Sequence, residues 1–122
     1  MKIKQLEELD SWKKARELAN MIYDLTEQNG FGRDFQLRSQ VRDASGSVTH
    51  NITEGFDAGS DAEFIRFLKI SRRSASEVQS QLYLALDRKY ITTTQLQNAY
   101  DKATETKRLI NGLISYLRRD KT

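Results

Sequence analysis

Ser60 to Asp87 reads SDAEFIRFLKISRRSASEVQSQLYLALD, and this stretch decides the fold. Phe64, Leu68, Ser71, Ala75, Val78, Leu82 and Ala85 recur at alternating steps of three and four, which lines them up on one face of an α-helix. Phe67, Ile70, Ser74 and Leu84 widen that face. Ser60 and Glu63 have the spacing of a capping box, the serine accepting from the turn ahead and the glutamate reaching back. The pattern predicts a helix over 61–87, a rod of about 40 Å. A rod that long, apolar on one face only, needs other helices to cover it.

Three further helices are readable outward from it. The first is expected over 11–28, capped by Asp10 or Ser11 and stopped by Asn29-Gly30. Trp12, Ala15, Ala19, Ile22 and Thr26 form its seam, with Leu18 and Leu25 beside it. Phe31-Gly32-Arg33 is expected as a plain connection. The second helix is expected over 35–56, with Asp34 as cap and Leu37, Val41, Ala44, Val48 and Ile52 as its stripe. This stripe is weak, because its middle reads Ala44-Ser45-Gly46-Ser47. A glycine inside a helix costs about 1 kcal/mol relative to alanine, so the small residues around Gly46 are expected to mark a close approach between helices. Asp57-Ala58-Gly59 and Arg88 to Ile91 are the remaining connections. The fourth helix is expected over 93–118, opened by the capping-box pair Thr92 and Gln95, with Leu96, Ala99, Ala103, Thr106, Ile110, Leu113 and Leu117 inward. Short connections make consecutive helices antiparallel neighbours. The expected fold is all-α, an up-and-down antiparallel four-helix bundle, one domain over 1–122.

Composition agrees. The chain has 122 residues, no proline and no cysteine. Proline is excluded from helix interiors, and its absence suits long helices joined by short turns. Without cysteine there is no disulfide, thiolate nucleophile or cysteine-built metal site. Apolar residues make up 38% and charged residues 30%, the balance of a globular chain with a solvated surface. No apolar run approaches membrane-spanning length, and Met1 to Asp10 is charged without an apolar centre. No membrane partner is expected, and the cytoplasm is the expected compartment. The net charge of +3 is compatible with a phosphate-bearing partner without requiring one.

Catalytic signals are missing. His50 is the single histidine, and Ser47 rather than an acid stands three residues before it, so the Glu-x-x-His pairs of di-iron bundles do not occur. There is no Gly-Lys-Ser phosphate loop and no dinucleotide fingerprint. No catalytic, cofactor-binding or metal-ligating residue is expected, nor a small-molecule substrate. The chain is not expected to be an enzyme.

The end of the second helix, Ser47-Val48-Thr49-His50-Asn51-Ile52-Thr53-Glu54-Gly55-Phe56, is the informative polar segment. Asn51 and Glu54 flank its seam. The third helix offers Ser74 and Glu77, together with its arginines. Partly buried polar groups need partners, so a network of Asn51, Glu54, Ser74 and Glu77 with those arginines is expected. It would either fix helix register or a subunit contact, or hold a ligand.

Gln40-x-Arg42-x-Ala44, Ser47 and Asn51-Ile52-x-Glu54-Gly55-Phe56 together resemble the signature of the four helix bundle proteins, also called 23S rRNA intervening-sequence proteins. Leu9-x-x-Trp12-x-x-Ala15 resembles the family's opening motif. Glu63-Phe64-x-x-Phe67-Leu68-x-Ile70 and Ser74-x-x-Glu77-x-x-x-Gln81-Leu82 resemble its third helix, and Ile110-x-Gly112-Leu113-Ile114 its last. The ordered set, covering nearly the whole chain, carries the resemblance. Thr49, His50 and Arg73 depart from the usual family pattern of a proline, a small residue and a glycine. The resemblance implies an up-and-down bundle that assembles as a ring, commonly a homopentamer, with a biochemical role that is not established.

Arg66, Lys69 and Arg73 fall on one face of the third helix, with Arg72 beside them, and Arg38 and Arg42 pair on the second. These six are the candidate nucleic-acid-binding residues, for RNA or DNA. Repeating such patches around a homo-oligomeric ring would add phosphate contacts with every copy. Against this, Arg88, Lys89, Arg118 and Arg119 suit helix C-termini for dipole reasons alone. No aromatic-basic interleaving along the chain marks a single-strand groove, and Tyr83, Tyr90 and Tyr100 are expected at the rim or in the core. The expected function is that of a non-enzymatic oligomeric bundle that binds nucleic acid through basic surfaces of the assembled ring. The alternative is a protein–protein scaffold with no nucleic-acid role.

Overall fold

The computed structural model describes residues 3–119. They form five α-helices in chain order, α1 (Asp10–Thr26), α2 (Asn29–Arg33), α3 (Phe35–Phe56), α4 (Asp61–Asp87) and α5 (Thr93–Arg119), after a 3-10 turn at Leu6–Glu8. The four long helices make an up-and-down bundle. Each packs on two others, α1 on α3 and α5, and α4 on α3 and α5. The cyclic order α1–α3–α4–α5 follows from the short connections. No helix among the described residues is long and apolar enough to cross a membrane.

The helix ends follow their capping chemistry. Asp34 accepts from the Leu37 N–H at the start of α3, and Ser60 accepts from the Glu63 N–H at the start of α4. The return half of the Ser60 box is not made, because the Glu63 carboxylate turns to Arg66 instead. Thr92 and Gln95 bond reciprocally at the start of α5. At α1 the expectation is corrected: Leu9 occupies the cap position and no side chain caps it. Ser11 is the second residue of the helix and is buried, its hydroxyl without a partner.

Two clusters make the core. One holds Leu18, Ile22, Leu25, Phe31, Val41, Val78, Leu82 and Ala99 among others, and the second holds Leu9, Ala15, Val48, Ile52, Phe64, Leu68 and Ile110. Small and polar side chains are buried among them: Ser45 and Thr106 where one cluster gives way to the other, and Ser71 and Ser74 within the second. Each finds a hydrogen bond, Ser71 donating across to the Val48 carbonyl at 2.7 Å. The seam of α1 is turned from the expected one. Leu18 and Leu25 are inside, while Trp12 and Ala19 are only half-buried.

Two further expectations are corrected. Phe31-Gly32-Arg33 is not a plain connection but part of the short helix α2, and α1 ends at Thr26 rather than 28. Phe31 is 1% exposed and stacks on Tyr90, with ring centres 5.4 Å apart. The Tyr90 hydroxyl donates to Asp34 Oδ2 at 3.0 Å, and its ring lies so close to Gly30 that an added Cβ would come within 2.9 Å of it. A residue 60 positions away thus tucks this segment against the bundle. The close helix approach is not at Gly46, which has open space around it, but at Gly55, where a Cβ would meet Phe64 at 2.8 Å and Phe67 at 3.0 Å. Arg118 and Arg119 end α5, and Lys121 lies outside the described residues.

Candidate nucleic-acid interface

A bundle of four helices in cyclic order has four surface grooves, and here they differ in charge. The groove between α4 and α5 is lined by Lys69, Arg72, Arg73 and Ser76 from one helix and Lys107 and Asn111 from the other. Steps of three and four put the α4 residues on one flank, and a step of four does the same for the α5 pair. Two of the four cations are oriented by neutral acceptors. Arg72 Nη1 donates to Asn111 Oδ1 at 2.6 Å. Lys107 Nζ donates to Gln79 Oε1 at 2.6 Å and to Ser76 Oγ at 3.3 Å. Gln79 is buried, and its amide nitrogen is fixed by the Tyr100 carbonyl and Thr104 Oγ1, which turns its oxygen toward the lysine. Among the described residues no carboxylate lies within ion-pair distance of Lys69, Arg72, Arg73 or Lys107. Four cations therefore share one groove with no ion-pair partner among the described residues.

The groove between α1 and α5 is of opposite character, lined by Glu17, Asp24, Asp101 and Glu105 with Lys102. Lys14 bridges Glu17 at 3.4 Å and Glu105 at 3.2 Å, and Lys102 reaches Glu17 at 3.1 Å. Hydrogen bonds donated to Glu105 and then Glu17 hold the Lys14 ammonium above its usual range, and the bond accepted from Lys102 holds Glu17 below the usual carboxylate range.

The six candidate basic residues separate. Lys69, Arg72 and Arg73 come together. Arg66 does not join them: it forms a two-bond pair with Glu63 and stacks on Phe67, and Glu63 is held low by the Arg66 hydrogen bonds. Arg38 and Arg42 lie away from that groove, Arg42 against α1 and Arg38 against α2, the short helix that joins α1 to α3. Arg38 Nη1 donates to the Gly32 carbonyl and covers Phe35, while Arg42 Nε donates to Thr26 Oγ1 and covers Tyr23. Aromatic and basic side chains stack here, Arg38 on Phe35 within α3 and Arg42 on Tyr23 across from α3 to α1, and the second pair is joined only by folding. Sequence reasoning missed Lys107 and Asn111. Their spacing was visible, but which flank of the last helix meets Lys69 and Arg72 was not.

The expected polar network forms only in part and without arginine. Asn51 Nδ2 donates to the Ser47 carbonyl at 2.8 Å and to Ser47 Oγ at 2.9 Å, and Ser47 Oγ bonds Ser74 Oγ at 2.8 Å. Glu54 is exposed, 3.8 Å from the exposed His50. Glu77 is also exposed, on the rim of the α3–α4 groove near Asp43. Arg72 and Arg73 are on the other flank of α4, turned toward α5, and Arg66 is taken by Glu63. Among the described residues no three His, Cys, Asp or Glu side chains gather as a metal site.

Residues 7–112 match the family described as 23S rRNA-intervening sequence protein. The chain is also similar to a crystal structure of a protein with unknown function from the S23 ribosomal protein family of Bacteroides thetaiotaomicron. The two share 28% identity over 85% of this chain and 97% of that one, with a TM-score of 0.77. No curated protein matches.

Proposed function

The chain belongs to the 23S rRNA-intervening sequence protein family, and from that premise we propose that it binds nucleic acid through the basic groove between α4 and α5. It does so as a cytoplasmic homo-oligomer, a homopentamer as the family resemblance implies, with no catalysis, small-molecule substrate or membrane contact of its own. The observation that carries the reading is the convergence of Lys69, Arg72, Arg73 and Lys107 without a carboxylate partner. Ammonium and guanidinium groups held in place by neutral oxygens keep their donors for phosphate. Phosphate contacts release counterions, so such binding is steeply salt-dependent. Copies of the groove around an oligomer would multiply the contacts.

A gel shift with RNA and DNA tests this. Binding at low salt should fade as salt rises, and Lys69→Glu with Arg73→Glu should abolish it. Arg66→Glu should leave binding nearly intact, because that guanidinium is already paired. Absence of any shift at low salt would remove the proposal. Light scattering reads the assembly, and a persistent monomer would count against the oligomer. A scaffold without a nucleic-acid role is the second reading, favoured by the exposure of Tyr83 and Leu84, at 50% and 53%. It expects a protein partner in pull-down and no salt-dependent shift.

A further inference from the structure

We propose that the α1–α3 face, on the side of the bundle opposite the basic groove, is a stacking platform for unpaired bases, so that the nucleic acid taken is single-stranded at that face. The proposal rests on the nucleic-acid reading above and names the kind of strand. Its parts are two guanidinium–aromatic stacks one helical turn apart. Arg38 lies 4.7 Å from the Phe35 ring centre and Arg42 lies 4.4 Å from that of Tyr23. A step of four along α3 separates the two residues' backbone positions by about 6 Å along its axis.

Both arginines are fixed. One edge of Arg42 is held by Thr26 Oγ1 at 2.8 Å, and that hydroxyl is itself bonded to the Ile22 and Tyr23 carbonyls. Arg38 is held by the Gly32 carbonyl at 2.8 Å. The remaining N–H groups of each guanidinium are left for a partner. The aromatic rings stay open to solvent, Phe35 65% exposed and Tyr23 47%. An apolar ring that open beside a fixed cation gives a base a face to stack on and its phosphate a donor.

The charge of this face favours a polyanion over an apolar protein surface. Of the nearby acids three are turned away or engaged, and the fourth, Glu27, is exposed and pairs with neither arginine. Asp24 lines the α1–α5 groove and Asp43 the α3–α4 groove, while Asp34 is taken by the Leu37 N–H and the Tyr90 hydroxyl. No carboxylate among the described residues pairs with Arg38 or Arg42.

Fluorescence anisotropy with a short labelled RNA of mixed sequence, alone or annealed to its complement, tests the platform in the full chain. The single strand should bind more tightly than the duplex. Tyr23→Ala with Phe35→Ala should weaken single-strand binding about tenfold or more and leave the duplex within about twofold. The salt slope should not change, because no charge is removed. Arg42→Lys keeps the charge but loses the planar face, and it should weaken the single strand alone. Unchanged single-strand binding in these variants, or equal loss on both forms, overturns the platform. So does a changed oligomer mass with single-strand binding intact, which would mean that protein covers this face. Lys69→Glu with Arg73→Glu separates the two readings. If it weakens both nucleic-acid forms while the aromatic variant has no effect, the groove stands and the platform falls. If it weakens neither, the groove reading falls.

Discussion

Gly55 and Gly46 lie on the same helix and have opposite consequences. A methyl group at Gly55 would strike Phe64 and Phe67 at 3.0 Å or less, while at Gly46 it meets nothing within 4 Å. Gly55→Ala should therefore lower stability by about 1–3 kcal/mol through overpacking. Gly46→Ala should raise it by about 0.5–1 kcal/mol, because a helical alanine constrains the unfolded chain. Urea denaturation of the two variants checks both signs. Tyr90 gives a pH-dependent counterpart. Its hydrogen bond to Asp34, then its burial, raise its pKa above the usual 10.0. The folded state thus favours the protonated hydroxyl. That stabilisation is complete below the unfolded value and is lost as pH climbs through the raised folded value. Stability followed above pH 10 should fall with this contribution in the natural chain, and Tyr90→Phe should flatten that part of the curve.

At the scale of the element, the end of α4 is the most specific feature. The Tyr90 N–H donates to the Ala85 carbonyl and the Lys89 N–H to the Leu86 carbonyl, the paired bonds of a Schellman motif. The residue that must turn left-handed is Lys89, with φ at 61°, where glycine is usual. Lys89→Gly should stabilise the protein by about 1 kcal/mol, read as a higher denaturation midpoint with an unchanged slope. The motif also aims Tyr90 at α2 and at the cap of α3, which is how a connection on one side of the bundle sets the conformation of one on the same end. Helix spans show how far local signals reach. The starts of α3 and α4 were legible, because Asp34 and Ser60 each cap by a bond to a backbone three positions ahead. The start of α1 was not, since Leu9 caps nothing and packing alone sets where the helix begins.

For the whole molecule, function turns on how the grooves divide the charge. A net charge of +3 says little by itself. The fold gathers acids between α1 and α5 and bases between α4 and α5, so each groove presents a field that the average conceals. If four cations of a copy each neutralise one phosphate, the logarithm of duplex affinity should fall against the logarithm of salt with a slope of about −3.6 per copy engaged. Lys107→Gln should reduce that slope by about 0.9, and Arg66→Gln should not change it. Titrations at several salt concentrations separate the two variants.

The sequence alone determined that four long helices form, where most of them begin and end, and that they alternate in direction. Helical period, caps and turn residues are local, and short connections leave antiparallel neighbours as the outcome. It did not determine which flank of a helix faces which neighbour. A rotation of a fraction of a turn leaves the apolar period intact but exchanges the partners of every flanking residue. That is why Ala19 and Trp12 gave way to Leu18 and Leu25 inside α1, and why the Ser47 that holds Asn51 meets Ser74 of α4 rather than an arginine. The same rotation settled which cations share a groove. Lys107 joined Lys69, Arg72 and Arg73, while Arg66, in step with Lys69 and Arg73 along α4, stayed with Glu63. Only tertiary packing could decide this, because it brings together residues that no local spacing relates.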